Sequence, residues 1–265
     1  LYNNIPPDKI KYNRSIDSLE NRNKIDVHFS NQTKDSFDYI LVSDGVFSST
    51  KSIITKQIVN PKYNNNVALR GKLNFFDNRD VSIFMGSNFH YVIYPVNQNN
   101  EYNFVAIIKK KMKKKEILNN KLFKSQELLN NLKGIIDKNS NFDCNNLQDL
   151  KAFPVFVTDK MLTIDQKNIF LSGDALFTFP PSFAQGASQS IETSNDIFND
   201  IQNNSDKLYE SRKKKIYSIN RRSKINHFSF HIKNPINMLV RNFFLRKLTR
   251  NKKFLEIYLG KIYRN

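Results

Sequence analysis

"IFLSGDALFTFPPSFAQGASQSIE" (residues 169–192) holds two of the seven glycines in a 265-residue chain. The apolar run before Gly173 reads as a short buried strand. Gly-Asp ends it, Pro180 and Pro181 stiffen the loop that follows, and Gln185-Gly186 opens a helix over 185–201. In that helix Ala187, Ile191, Ser194, Phe198 and Ile201 recur at helical spacing, so this face is expected to turn inward. A carboxylate at the end of a strand can accept hydrogen bonds from a sugar diol, and the free N–H groups of the next helix can meet an anionic or carbonyl edge. Gly186 would let a flat ligand lie against bare backbone. The residues equally fit a plain strand-loop-helix in which Asp174 is only an N-cap.

Upstream, "KIDVHFSN" (24–31) alternates like a half-exposed strand, and "FDYILVSDG" (37–45) is a continuous apolar run expected to be a buried one. "VFSSTKSIITKQIV" (46–59) fits a short helix with Ile53, Ile54 and Ile58 on its inner face. Four strand-like pieces follow, 67–76, 80–86, 89–96 and 102–109, joined by Asn, Asp and Gly turns with a hairpin loop at 97–101, which predicts a mostly antiparallel sheet. Helical pieces are expected at 115–123 and 125–137, and a strand at 153–158. The region after Asp206 is basic and helical, with a break at Asn234-Pro235.

Hydrophobic residues make up 39% of the chain and aromatics 12%, enough to build a core. The one cysteine, Cys144, excludes a disulfide framework and a cysteine-rich metal site, and no metal is expected. No signal peptide and no spanning helix is read, so a cytoplasmic location is expected. The formal charge of +18 and the runs "KKKMKKK" (109–115) and "RKKK" (212–215) attract phosphate. They travel with abundant Asn and Ile, as AT-rich codons produce, and no reading motif accompanies them, so no specific nucleic-acid partner is expected.

"GDALFTFPPSFAQGASQSIE" resembles the second flavin motif of the FAD-dependent aromatic hydroxylases, the class A flavoprotein monooxygenases, G-D-A-A-H-x-x-x-P-x-x-x-Q-G-x-x-x-x-x-E. Gly173, Asp174, Ala175, Pro181, Gln185, Gly186 and Glu192 are in register, and the "AQGA" core is similar to the salicylate-hydroxylase branch. "DYILVSDGVFSSTK" (38–51) resembles the family's D-x-x-x-x-A-D-G-x-x-S-x-x-R through Asp38, Asp44, Gly45 and Ser48. Lys51 stands where Arg is usual, and Leu176 and Phe177 replace the family's Ala and His.

The resemblance implies an α/β fold with an α+β second layer. In it a partial Rossmann-like FAD-binding domain (1–60, returning at 156–204) carries an inserted, mostly antiparallel substrate-domain sheet (61–155), followed by C-terminal helices (205–265). It implies FAD contacts at Asp44, Gly45, Gly173, Asp174, Pro181, Gln185, Gly186 and Ala187, and a substrate wall that could include Arg70, His90 and Tyr94. NAD(P)H would reduce the flavin, and O2 would add to it as a hydroperoxide that hydroxylates a small phenolic or quinone-precursor ring; no side chain is named as catalytic. No G-x-G-x-x-G occurs, so the chain reads as the C-terminal two-thirds of such an enzyme, and its oligomeric state is open.

Two rivals stand beside this reading: a non-catalytic flavoprotein module attached to membranes by its basic C-terminal helix, and a flavin reductase acting on isoprenoid lipids. In "INMLVRNFFLRKLTRNKKFLEIYLGKIY" (236–263), Ile236, Leu239, Val240, Phe243, Phe244 and Leu248 form an apolar stripe among cations. The expectation is that the stripe packs on the protein body, peripheral membrane contact being the alternative.

Overall fold

A computed structural model describes residues 2–77, 80–96, 101–162, 164–205 and 208–263, so the hairpin loop expected at 97–101 lies, but for Glu101, outside the described residues. The chain divides into two compact units. The first comprises residues 1–61, 158–179 and 185–214, the second 62–157, 180–184 and 215–265.

The chain enters the first unit with an antiparallel meander of β1 (Ile16–Asn21), β2 (Ile25–Phe29) and β3 (Lys34–Phe37). Ile25 and Val27 of β2 are its buried positions, two residues apart as the pleat requires. β4 (Ile40–Val42) is three residues long, and α1 (Ser49–Thr55) follows. The long buried strand expected over 37–45 is therefore not formed. Only Val42 is buried, while Phe37, Tyr39 and Leu41 are exposed. Ile58, expected on the inner face of the helix, lies beyond its end and is exposed.

In the second unit β5 (Lys62–Leu73), β6 (Ser82–Gly86), β7 (Phe89–Pro95), β8 (Tyr102–Lys109), α2 (Lys114–Ile117), α3 (Gln126–Asp137) and β9 (Gln148–Val157) follow in chain order. The strands form one five-stranded antiparallel sheet in the order β6-β7-β8-β5-β9. Its alternation sets its faces. Val67, Leu69 and Leu73, Phe89, Tyr91 and Ile93, and Phe104, Ala106 and Ile108 pack with Leu128, Leu129, Leu132 and Ile136 of α3. Complete burial of Leu132 and Ile136 contributes roughly 1.5–3 kcal/mol each. Ser125 caps α3, its hydroxyl accepting from Leu128 N–H. Cys144 is buried in this core, and desolvation pushes its thiol pKa up, so it is a packed hydrophobe rather than a nucleophile. The helix expected at 115–123 shrinks to the single turn of α2 and a 3-10 turn at Leu122–Lys124.

The chain returns to the first unit through β10 (Ile169–Leu171), which pairs in parallel with β4, Ile169 opposite Ile40. One turn of helix, α4 (Gly173–Leu176), and the long α5 (Gly186–Asn203) follow. α6 (Leu208–Phe230) begins in the first unit and ends in the second, which α7 (Pro235–Arg250) and α8 (Lys252–Tyr263) complete. Asn234 caps α7, its Oδ1 accepting from Ile236 and Asn237 N–H, with Pro235 at the first helical position.

Two expected inward faces point outward. On α5 the buried residues are Gln189, Thr193 and Ile197, whereas Ile191 is 73% and Phe198 60% exposed. On α7 the stripe expected to pack on the body is open to solvent. No described helix is long and apolar enough to cross a membrane.

Candidate functional site

The first flavin-like motif forms the turn from β4 into α1. Gly45 sits at φ +87°, a conformation that strains any side chain. The Ser48 hydroxyl caps α1 by accepting from Lys51 N–H at 2.9 Å, and Asp44 Oδ2 accepts from Thr50 N–H at 3.3 Å. Lys51 is buried, and its Nζ donates to the Ala175 carbonyl at 3.2 Å. Desolvation lowers its pKa, against the opposing pull of Asp44. Where the family pattern has arginine, this lysine ties the first motif to the second through one hydrogen bond.

The second motif starts as Ser172 N–H donates to Val42 O, extending the parallel ladder by one rung. Gly173 is left-handed at φ +59°, and a Cβ on it would stand 3.2 Å from Ser190 Oγ, so α4 lies against the first turns of α5. Asp174 is solvent-facing, yet desolvation by its surroundings raises its carboxyl pKa. Leu176 and Phe177 are buried, so these departures from the family pattern are core residues here.

Gln185 is the N-cap of α5, but no side chain caps the helix. A Cβ on Gly186 would meet nothing within 4 Å. The 18-residue helix therefore presents an uncapped amino end to open space, beside the α4 turn that carries Asp174. These residues fit a flavin: a carboxylate for a diol, bare N–H groups for the electron-poor ring, and room for both. Ala187 is exposed on the first turn of the same helix. Pro181 opens a 3-10 turn, Pro181–Phe183, in the segment that belongs to the second unit.

Glu192, the last residue of the motif, turns away from this opening to the buried Arg212 of α6. Arg212 Nη1 donates to Glu192 Oε2 and Asp196 Oδ2, both at 3.1 Å, and its Nη2 donates to Gln189 O at 3.3 Å and Gln189 Oε1 at 2.8 Å. Arg212 and Gln189 were not legible as partners, because no short motif links them.

In the second unit, Arg70, His90 and Tyr94 share the sheet face opposite α3. Arg70 pairs with Val105, His90 with Ile107 and Tyr94 with Asn103, all on that face. Arg70 is exposed, Tyr94 half-buried and His90 buried. His90 Nδ1 lies 2.8 Å from His231 Nε2, and the His231 and His227 rings are 4.1 Å apart. Ser182 Oγ is 3.1 Å from His227 Nδ1. Three of the four histidines thus form one cluster, foreshadowed in "HFSFH" (227–231) by two histidines one helical turn apart. Among the described residues no group of His, Cys, Asp or Glu is arranged to hold a metal ion. On the opposite face Phe76, Phe84, Phe89, Tyr91 and Phe142 line an open depression of about 440 Å³.

No protein-family model matches the chain, and no curated protein matches it in sequence. Among solved structures it is similar to a salicylate hydroxylase in a substrate complex, with a TM-score of 0.64 and 14% identity, over 84% of this chain and 62% of that one. It is similar to HpxO of Klebsiella pneumoniae, complexed with FAD and uric acid, at a TM-score of 0.68 and 14% identity, over 97% and 67% of the two chains. The 2,6-dihydroxypyridine-3-hydroxylase of Arthrobacter nicotinovorans matches at 0.63 and 16% identity, over 79% and 61%. The chain therefore spans only 62% of the length of the first of these proteins. Likeness at 14–16% identity establishes a fold, and the fold of this chain is that of the FAD-dependent aromatic hydroxylases.

Proposed function

We propose that the chain is the greater part of an FAD-dependent monooxygenase that hydroxylates a small aromatic ring with O2, using NAD(P)H as reductant. The observation that carries this reading is the opening in the first unit, where α4 with Asp174 lies against the uncapped, unobstructed first turns of α5. Asp174 would hold a ribityl or ribose diol. The N–H groups of Gln185, Gly186 and Ala187 would face the pyrimidine edge of the flavin, where the helix dipole favours the negative charge of the reduced ring. Asp44 and Gly45, tied to α4 through Lys51, would lie near the pyrophosphate. The bound flavin would supply the O2 activation, and the chain's own residues bind, orient and exclude water. The sheet face carrying Arg70, His90 and Tyr94 would form the substrate wall, Arg70 and Tyr94 being the members with accessible side chains.

Two substitutions test the reading in the longest native form of the protein. Asp174→Ala removes charge-assisted hydrogen bonds of ~1.5–3 kcal/mol, so FAD should bind about 10- to 100-fold more weakly. Gly186→Val should also release the flavin by filling the space in front of the backbone, although the fold has room for it. Both variants should melt within a degree or two of the parent apoprotein, as neither site packs on a neighbour. Flavin absorbance per mole of folded protein that is unchanged in both would refute the assignment.

A further inference from the structure

α7 is apolar on two sides. Its inner side consists of the half-buried Met238, Leu245 and Leu248 around Arg241, whose guanidinium donates to Ser229 O at 3.1 Å and to its neighbour Asn242. The helix is thus fixed to the end of α6 and capped by Asn234 without help from a partner. Its outer side carries Ile236, Leu239, Val240, Phe243 and Phe244, which are 70%, 71%, 50%, 56% and 55% exposed. They stand at i, i+3, i+4, i+7 and i+8, one unbroken stripe. Large side chains so exposed leave roughly 500 Å² of contiguous apolar surface, at the upper end for a monomer with nothing docked on it.

Charge indicates what covers the stripe. The same outer side continues into Arg246, Lys247 and Arg250, and Lys252 and Lys253 open α8, all exposed. Glu256 is the one acid in the two helices. Lys247 Nζ lies over the Phe243 ring, 4.7 Å from its centroid, so a cation stands directly against the stripe. A 16-residue helix is about 24 Å long, too short and too charged to span a bilayer but suited to lie in its surface. A protein groove would accept the stripe alone; a sheet of anionic headgroups accepts the stripe and the five cations together.

We propose that the outer side of α7 is a membrane-docking surface that inserts Ile236, Leu239, Val240, Phe243 and Phe244 among the acyl chains of an anionic phospholipid bilayer, with the adjacent lysines and arginines on its headgroups. The inference is independent of the flavin reading, since it uses no residue of that site. It is tested by co-sedimentation of the full chain with phosphatidylcholine vesicles with and without phosphatidylserine. The chain should sediment with the anionic vesicles, stay in solution with the neutral ones, and lose affinity as salt rises from low to physiological strength. Phe243→Asp combined with Phe244→Asp should reduce partitioning at least tenfold, with helicity and melting temperature kept, because both side chains are in solvent. Arg246→Gln, Lys247→Gln and Arg250→Gln together should flatten the salt dependence. No binding to anionic vesicles, or binding that survives the two aspartates, overturns the proposal. So does a dimer that these aspartates dissociate in the absence of any vesicle binding, which would make a second copy of the chain the occupant.

Discussion

Arg212→Met is expected to destabilise the first unit by about 2–4 kcal/mol. The guanidinium is 2% exposed and serves four acceptors: two carboxylates one helical turn apart on α5, and the carbonyl and side-chain oxygens of the buried Gln189. Methionine fills much the same volume but donates nothing. Glu192 and Asp196 are then left as like charges at i and i+4, and Gln189 Oε1 loses the guanidinium donor, while its carbonyl keeps the Thr193 hydroxyl. Because the two carboxylates remain about one-third exposed, water recovers part of the loss, and the estimate lies below the 3–5 kcal/mol of a fully buried broken pair. Arg212→Lys should recover less than half, since one ammonium cannot span four acceptors. Adding Glu192→Gln and Asp196→Asn to Arg212→Met should restore stability by removing the repulsion. Urea unfolding of the four proteins measures this, and a loss below ~1 kcal/mol for Arg212→Met would show that the network adds little to stability.

The same network explains why α5 was misread from its sequence. Hydrophobic periodicity finds the inner face of a helix only when that face is hydrophobic. Here Gln189 faces inward to meet Arg212, Thr193 beside it donates to the Gln189 carbonyl, and Ile191 and Phe198 are left outside. β4 failed differently. An apolar run predicts a buried strand when layers cover both faces, yet β4 and β10 form a sheet of two strands in which Leu41 stays exposed. The four strands over 67–109 were legible because the face packed on α3 is apolar at every second residue, as Phe89, Tyr91 and Ile93 are in β7. In the candidate site, glycine positions were legible where backbone geometry demands them, at Gly45 and Gly173 with positive φ. The bond from Lys51 to Ala175 was not, because it joins residues 124 apart that only the parallel pairing of β4 with β10 brings together.

The histidine cluster should make the second unit fail in mild acid. His90 and His231 are both buried, and desolvation, with each imidazole further disfavoured by charge on its neighbours, lowers their pKa values from 6.5 to about 3; His227 shifts the same way. The groups packed around them offer no relief. Asn66 of β5 and Ser182 are neutral partners of His227, Phe230 covers His90, and Lys109 of β8 adds positive charge. Among the described residues His231 Nδ1 has no hydrogen-bond partner. The neutral tautomer in which His231 Nε2–H donates to His90 Nδ1 leaves only a lone pair unmet there, whereas a proton at Nδ1 would be buried without an acceptor. The folded state thus binds fewer protons than the unfolded chain wherever the pH lies between about 3 and 6.5. Stability is fully present above pH 6.5 and falls as the pH drops through that window. With a slope that grows from half of 1.36 kcal/mol per pH unit and group at pH 6.5 towards the full value below it, His90 and His231 together should cost about 3 kcal/mol on going from pH 6.5 to pH 5. Melting temperature followed from pH 7.5 to 5 reads this slope directly. His231→Phe keeps an aromatic ring against His90 and removes one titrating group, so it should reduce the slope by about half while lowering stability at pH 7.5 far less. A variant whose pH profile parallels the parent's would place the acid sensitivity outside the histidine cluster.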